Sequence, residues 1–82
     1  MSQTFQSFTG VDLHKCTVTL GSVDPEGADI AKLKISTKSV NKIDEWLSSL
    51  PRPSHMAVEA CPFVEWFIDR FGPCVDRMDI AD

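Results

Sequence analysis

The sequence predicts a mixed α/β domain of element order βββαβαβ, with five strands in the order 3-2-1-4-5 and both helices on one face of the sheet. Three observations carry this prediction. Apolar residues recur with period two through the first half, a turn bearing Pro and Gly divides that half, and from Val40 onward the period lengthens to that of a helix.

The first half reads as a β-meander. Phe8 to Leu13 is a short apolar strand, and Thr17-Val18-Thr19-Leu20 alternates β-branched and apolar residues before Gly21 to Val23. Asp24-Pro25-Glu26-Gly27 then places Pro at the second position of a turn and Gly at the fourth. In Ala31-Lys32-Leu33-Lys34-Ile35 the apolar residues take one face and the lysines the other, the pattern of a half-solvated strand near a sheet edge.

The second half alternates helices with strands. Val40, Ile43, Trp46, Leu47 and Leu50 fall at helical spacing; Thr37 or Ser39 can cap the start, and Pro51-Arg52-Pro53 ends the run. Met56 to Ala60 is a short strand. Pro62 suits a first helical position, and Phe63, Trp66, Phe67 and Phe71 form an aromatic stripe, read as core, that continues until Gly72-Pro73. Cys74 to Asp82 sets Val75, Met78, Ile80 and Ala81 among charges and reads as the fifth strand. The chain contains no internal repeat and no low-complexity segment.

Composition narrows the function classes. With 82 residues and 43% hydrophobic content the chain is one domain with a single modest core. Its net charge of −4 argues against an autonomous grip on nucleic acid, which draws on clustered Lys and Arg. Affinity for duplex DNA is therefore expected to be no better than about 10⁻⁴ to 10⁻⁶ M at physiological salt. Cys16, Cys61 and Cys74 are odd in number and form no C-x-x-C, and Met1-Ser2-Gln3-Thr4 lacks the basic and apolar regions of a signal peptide. A reducing cytoplasm is the expected setting. No apolar run approaches the roughly 20 residues of a membrane span, so no membrane partner is expected.

Two acids stand where apolar runs end: Asp12 in Phe8-Thr9-Gly10-Val11-Asp12, and Glu59 in His55-Met56-Ala57-Val58-Glu59-Ala60. If the meander supplies spatial order 3-2-1, the crossover from strand three passes over strands two and one and sets strand four beside strand one. Right-handed crossovers in the same direction then put both helices on one face. This is the ribonuclease-H-like sheet. Strands one and four become parallel neighbours about 4.8 Å apart, near enough for carboxylates at their carboxyl ends to share one magnesium ion with ligand distances of about 2.0 to 2.1 Å. The opposite face has no helix, and an apolar sheet face left open predicts self-association, as a two-fold homodimer, a higher assembly, or an exchanged element that serves the same end.

Each of these residues also has an ordinary structural explanation. Asp12 can serve as a turn residue bonding the backbone near Leu13 to Lys15. Glu59 can answer the dipole of the helix that begins near Pro62. His14 and Lys15 either approach a DNA phosphate or are exposed hairpin residues. Glu65 and Asp69 read as a solvated helix face, and a zinc site built from His14, His55 and a cysteine lacks ligand spacing.

Gly10-Val11-Asp12-Leu13-His14-Lys15, the hairpin through Asp24-Pro25-Glu26-Gly27, and Ala57-Val58-Glu59-Ala60 followed by Phe63-Val64-Glu65-Trp66 together resemble the N-terminal region of the DEDD-type transposases, the Piv-like insertion-sequence-one-ten family. The likeness runs over nearly the whole chain. It implies a ribonuclease-H-like (RuvC-like) catalytic domain, of which residues 1–82 are the N-terminal part, that uses four acids and Mg²⁺, or Mn²⁺ as substitute, for DNA strand cleavage and transfer in transposition. By this resemblance Asp12 is the first acid and Glu59 the second, and the third and fourth are expected beyond Asp82. DNA is the implied partner, joined by a guide RNA in parts of the family, and this stretch alone is expected to be inactive. The last strand departs from the family pattern: Val75-Asp76-Arg77-Met78-Asp79-Ile80-Ala81-Asp82 is less apolar, and no motif assigns Asp82 a role.

Two readings from other classes stand beside this one. The actin-like ATPase and sugar-kinase fold also opens with Gly-x-Asp, but its phosphate hairpin needs glycines where this chain has Leu13-His14-Lys15-Cys16. A non-catalytic interaction or assembly domain, such as a degenerate transposase remnant, is the other.

Overall fold

The computed structural model describes residues 4–81. They form one five-stranded sheet and two α-helices. Strand β1 (Ser7–Leu13) lies at the centre; β2 (Thr17–Val23) pairs antiparallel with it and β3 (Asp29–Ser36) antiparallel with β2. On the other side of β1 lies β4 (Ser54–Glu59), parallel to it, and then β5 (Arg77–Ala81), parallel to β4. The order is β3-β2-β1-β4-β5, as the crossover argument requires.

Helices α1 (Val40–Ser48) and α2 (Val64–Phe71) share one face of this sheet. Their buried residues Ile43, Leu47, Val64, Phe67 and Phe71 join Val11, Leu13, Val18, Leu20, Met56 and Val58 in a single core. Strand geometry explains the division, because successive side chains point to opposite faces. Along β1, Ser7, Thr9, Val11 and Leu13 are buried while Phe8, Gly10 and Asp12 are exposed. β3 and β1 run in the same direction, so α1 and α2 both begin at the sheet edge where β1 and β4 end.

Element ends depart from the sequence reading for local reasons. β2 continues through Gly21 and Ser22 because both are paired on two sides, to Gly10 and Thr9 in β1 and to Lys32 and Ala31 in β3, and two ladders outweigh the low strand propensity of Gly. Neither Thr37 nor Ser39 caps α1 through its side chain; Ser39 holds the N-cap position, and the Thr37 hydroxyl donates to the Lys15 carbonyl at 3.3 Å. Pro62 falls in the turn before α2, where the Val64 N–H donates to the Cys61 carbonyl. Gly72–Cys74 continue α2 as a 3₁₀ turn, so β5 starts at Arg77 rather than Cys74. The strand is described as far as Ala81; Asp82 lies outside the described residues.

The predicted turn between β2 and β3 forms as its residues dictate. The Asp24 carboxylate accepts the N–H groups of Glu26 and Ala28, each at 2.9 Å, and Gly27 takes φ 88°, a left-handed conformation that costs glycine no Cβ clash.

Two ion pairs tie the second half together. Arg70 of α2 grips Asp44 of α1 with two bonds, 3.0 and 2.6 Å. Asp76 accepts from Arg52 at 2.8 Å and from the Ser54 N–H at 2.7 Å, which joins the start of β5 to the start of β4. The Arg70 bond holds the Asp44 carboxyl below its usual range, and the Arg52 bond does the same for Asp76. Below about pH 4, where free aspartates take up protons, the unfolded chain therefore binds more protons than the folded one. The stability these pairs contribute is complete above that range and is lost as pH falls through the lowered folded values. The urea unfolding midpoint is expected to drop between pH 7 and pH 3. Asp76→Asn should shrink that drop, and an identical pH dependence in the variant would show that the Arg52 pair contributes nothing.

Candidate metal centre on the open sheet face

The face away from the helices is built from the alternate residue of every strand. Register places Lys32, Gly21, Gly10, Ala57 and Asp79 in one row across all five strands. The next row toward the carboxyl ends of β1 and β4 begins with Lys34, Thr19 and Asp12. Val11 pairs with Val58, so continuing the parallel register by one residue sets Asp12 beside Glu59.

Both acids line one shallow concavity of 560 Å³ whose floor is Gly10, Gly21 and Ala57. A Cβ built on either glycine would meet nothing within 4 Å, so the floor is open to an approaching group. Both carboxylates are solvent-exposed. Asp12 is not the isolated turn residue of the ordinary reading: it sits inside β1, and its Oδ2 lies 3.2 Å from Nε2 of His14, two residues on. His14 thus belongs to the acid site, which sequence alone left undecided between a phosphate contact and an exposed hairpin residue.

A second polar cluster occupies the same face lower on the sheet. His55 Nε2 lies 2.6 Å from Asp79 Oδ2, and Arg77 Nε donates to the same oxygen at 3.0 Å. The His55 bond, then the Arg77 bond, lower the Asp79 carboxyl below its usual range. Sequence reasoning missed this cluster because it depends on the β4–β5 register, which pairs His55 with Arg77 and Ala57 with Asp79.

The donor set is compatible with a hard divalent cation. Magnesium is commonly held by one or two carboxylates, with waters and substrate phosphate completing its shell. Asp12 and Glu59 would hold it. Among the described residues no group of three or more His, Cys, Asp or Glu side chains converges on a point. His14 follows the end of β1 whereas His55 pairs with Phe8, six residues earlier along that strand and so about 20 Å away, which keeps the two histidines from a common zinc site. Cys74 donates to Asp44 at 3.3 Å on the helical side, and burial pushes its thiol up.

The aromatic stripe of α2 divides in two. Phe67 and Phe71 are fully buried, but Phe63 and Trp66 are 37% and 43% exposed, which corrects the reading of all four as core. The helix turns Phe63 and Trp66 toward the carboxyl edge of the sheet, where they line a cleft beside the acid site.

No protein-family model matches the chain, and comparison with curated proteins finds no match. Among the described residues no helix is long and apolar enough to cross a membrane.

Proposed function

We propose that the chain is the N-terminal part of a ribonuclease-H-like transposase catalytic domain, acting with a divalent cation on DNA phosphodiesters in transposition. The observation that carries this reading is the placement of Asp12 and Glu59 on adjacent parallel strands, on the same uncovered face and in the same concavity. A bound Mg²⁺, or Mn²⁺ in its place, would supply Lewis-acid stabilisation of a phosphate oxygen in an in-line displacement. The carboxylates of Asp12 and Glu59 would hold the cation, and His14, 3.2 Å from Asp12 Oδ2, restrains that carboxylate. The glycine floor leaves room for a strand to approach. A cytoplasmic setting suits the three free cysteines.

A non-catalytic assembly domain is the second reading, favoured by the limit of two acids in the concavity. A crystal soaked in Mn²⁺ separates the two: an anomalous peak between Asp12 and Glu59 is expected, and scattering elsewhere or nowhere favours the assembly domain.

For the chain free of cation and DNA we further propose a homodimer that covers the open face in place of DNA, the two occupants being mutually exclusive, supported by the charge distribution of that face. Lys32 and Lys34 occupy the β3 edge, while Glu59 and Asp79 lie on the β4–β5 side. A two-fold axis along the central β1 sets each lysine edge over the acidic side of the other copy, an isologous and self-complementary contact. Light scattering should report a dimer at low micromolar concentration and a monomer for the double variant Lys32→Glu, Lys34→Glu, whose substitutions are exposed and leave the core untouched. A monomeric parent chain, or an undiminished dimer in the variant, would refute this interface.

A further inference from the structure

A cleft of 440 Å³ opens where the β1–β2 hairpin, the β3–α1 loop and the start of α2 meet. Its lining includes Phe63, the N-cap residue of α2, and Trp66 in the first turn of that helix. Lys15 and Lys38 line the same cleft. These lysines are far apart in sequence and are joined by Thr37, whose N–H donates to the Cys16 carbonyl at 3.0 Å and whose hydroxyl donates to the Lys15 carbonyl. Neither lysine takes part in an ion pair among the described residues, although the chain carries net charge −4.

Trp66 is exposed yet held. Its ring meets Phe71 edge-on at 5.9 Å and 88°, and Phe67 at 6.3 Å and 65°, so the outer ring surface is presented in a set orientation. An aromatic surface already ordered loses little freedom on taking a planar ligand. Leaving two large rings in water beside two unpaired cations suits a partner that is flat and apolar at one end and anionic at the other. His14 connects this cleft to the acid site, since it lines the cleft and bonds Asp12.

We propose that this cleft binds one unpaired nucleotide of a DNA strand, with Phe63 and Trp66 against the base and Lys15 and Lys38 at the adjoining phosphate. The choice of DNA rests on the reading of the acid pair as a phosphodiester site; the cleft would hold the strand next to that pair. Base–aromatic stacking tolerates any base, so the site reads strandedness rather than sequence. An unpaired base exposes the π-face that a duplex hides, which makes a single strand the better ligand.

The test is a fluorescence titration of the intact chain in EDTA and low salt, using an eight-nucleotide oligothymidylate and a blunt duplex of equal phosphate content. Tryptophan emission, to which Trp46 adds a constant background outside the cleft, is expected to be quenched at Trp66 by the single strand with a Kd in the tens of micromolar, and at least tenfold less readily by the duplex. Phe63→Ala and the double variant Lys15→Glu, Lys38→Glu, all exposed positions, should each weaken single-strand binding at least fivefold with unchanged circular dichroism. Equal affinity for duplex and single strand, or full affinity in Phe63→Ala, would reduce the cleft to a non-specific cationic patch and overturn the proposal. Tighter binding of an acidic aromatic peptide of the same charge would overturn it in favour of a protein partner. A parent chain that shows no Mn²⁺ response but binds the single strand in EDTA overturns the metal reading and leaves the cleft, and a chain that shows the response but does not bind the strand overturns the cleft alone.

Discussion

Asp12→Asn is expected to erase the thermal stabilisation that Mn²⁺ confers while leaving the metal-free fold intact. With Asp12 and Glu59 adjacent on β1 and β4, the pair concentrates negative charge that a cation relieves. A ligand at ten times its Kd that binds only the folded state adds about 1.4 kcal/mol, which in a domain of this size raises Tm by roughly 6–11 °C. Asparagine keeps an oxygen that can accept from His14 but removes the charge, so the rise should vanish. Without metal, the variant should match or slightly exceed the parent in Tm, because one member of a like-charged pair is gone. Glu59→Gln should behave the same way. Asp79→Asn is the control, since that carboxylate sits on the same face but is already engaged by His55 and Arg77. The measurement is a melting curve with and without Mn²⁺, and a full Mn²⁺ response in Asp12→Asn would refute the shared site.

Phe67→Ala should come close to unfolding the chain, while Phe63→Ala, one helical turn away, should scarcely register. Phe67 is completely buried, meets the Phe71 ring at a tilt of 51° and a centroid distance of 4.8 Å, and belongs to the single core beneath the sheet. Truncating such a residue removes its transfer free energy and leaves a cavity, a loss of about 3–5 kcal/mol. Total stability for a chain of this length is of order 4–12 kcal/mol at the usual 0.05–0.15 kcal/mol per residue, so the variant would lose about a quarter of it at the upper end and nearly all of it at the lower. Phe63 is solvent-exposed and its loss should fall within about 0.5 kcal/mol. Urea unfolding followed by circular dichroism checks both; a loss below about 1 kcal/mol at Phe67 would mean that α2 packs differently from the structure described.

Local patterns made most of the fold legible. The alternation in Val18-Thr19-Leu20 and Ala31-Lys32-Leu33-Lys34-Ile35, the Asp24-Pro25-Glu26-Gly27 turn and the helical spacing of Val40, Ile43 and Leu47 each act within a few residues. Their physical causes are the strand pleat, the turn dihedrals and the helical repeat, and these need no distant partner. The meander order with strand four set beside strand one then gives 3-2-1-4-5, which places Asp12 and Glu59 on neighbouring strands, and the chirality of crossovers puts both helices on one face.

What the chain could not express locally was which side of an element meets solvent and what stands across from it. Phe63, Trp66, Phe67 and Phe71 read as one stripe, yet the sheet beneath α2 covers only the last two completely, because the helix reaches the sheet edge where β1 and β4 end. The His55–Asp79–Arg77 cluster and the meeting of Lys15 with Lys38 arise from β4–β5 register and from the Thr37 bonds to the first hairpin. The sequence by itself determined the elements, their order and the two acids at the ends of apolar runs, since those follow from short-range sterics and hydrophobic period. Tertiary structure alone decided which aromatics remain in water and which charged groups share a face, since both depend on register and coverage between segments distant in the chain.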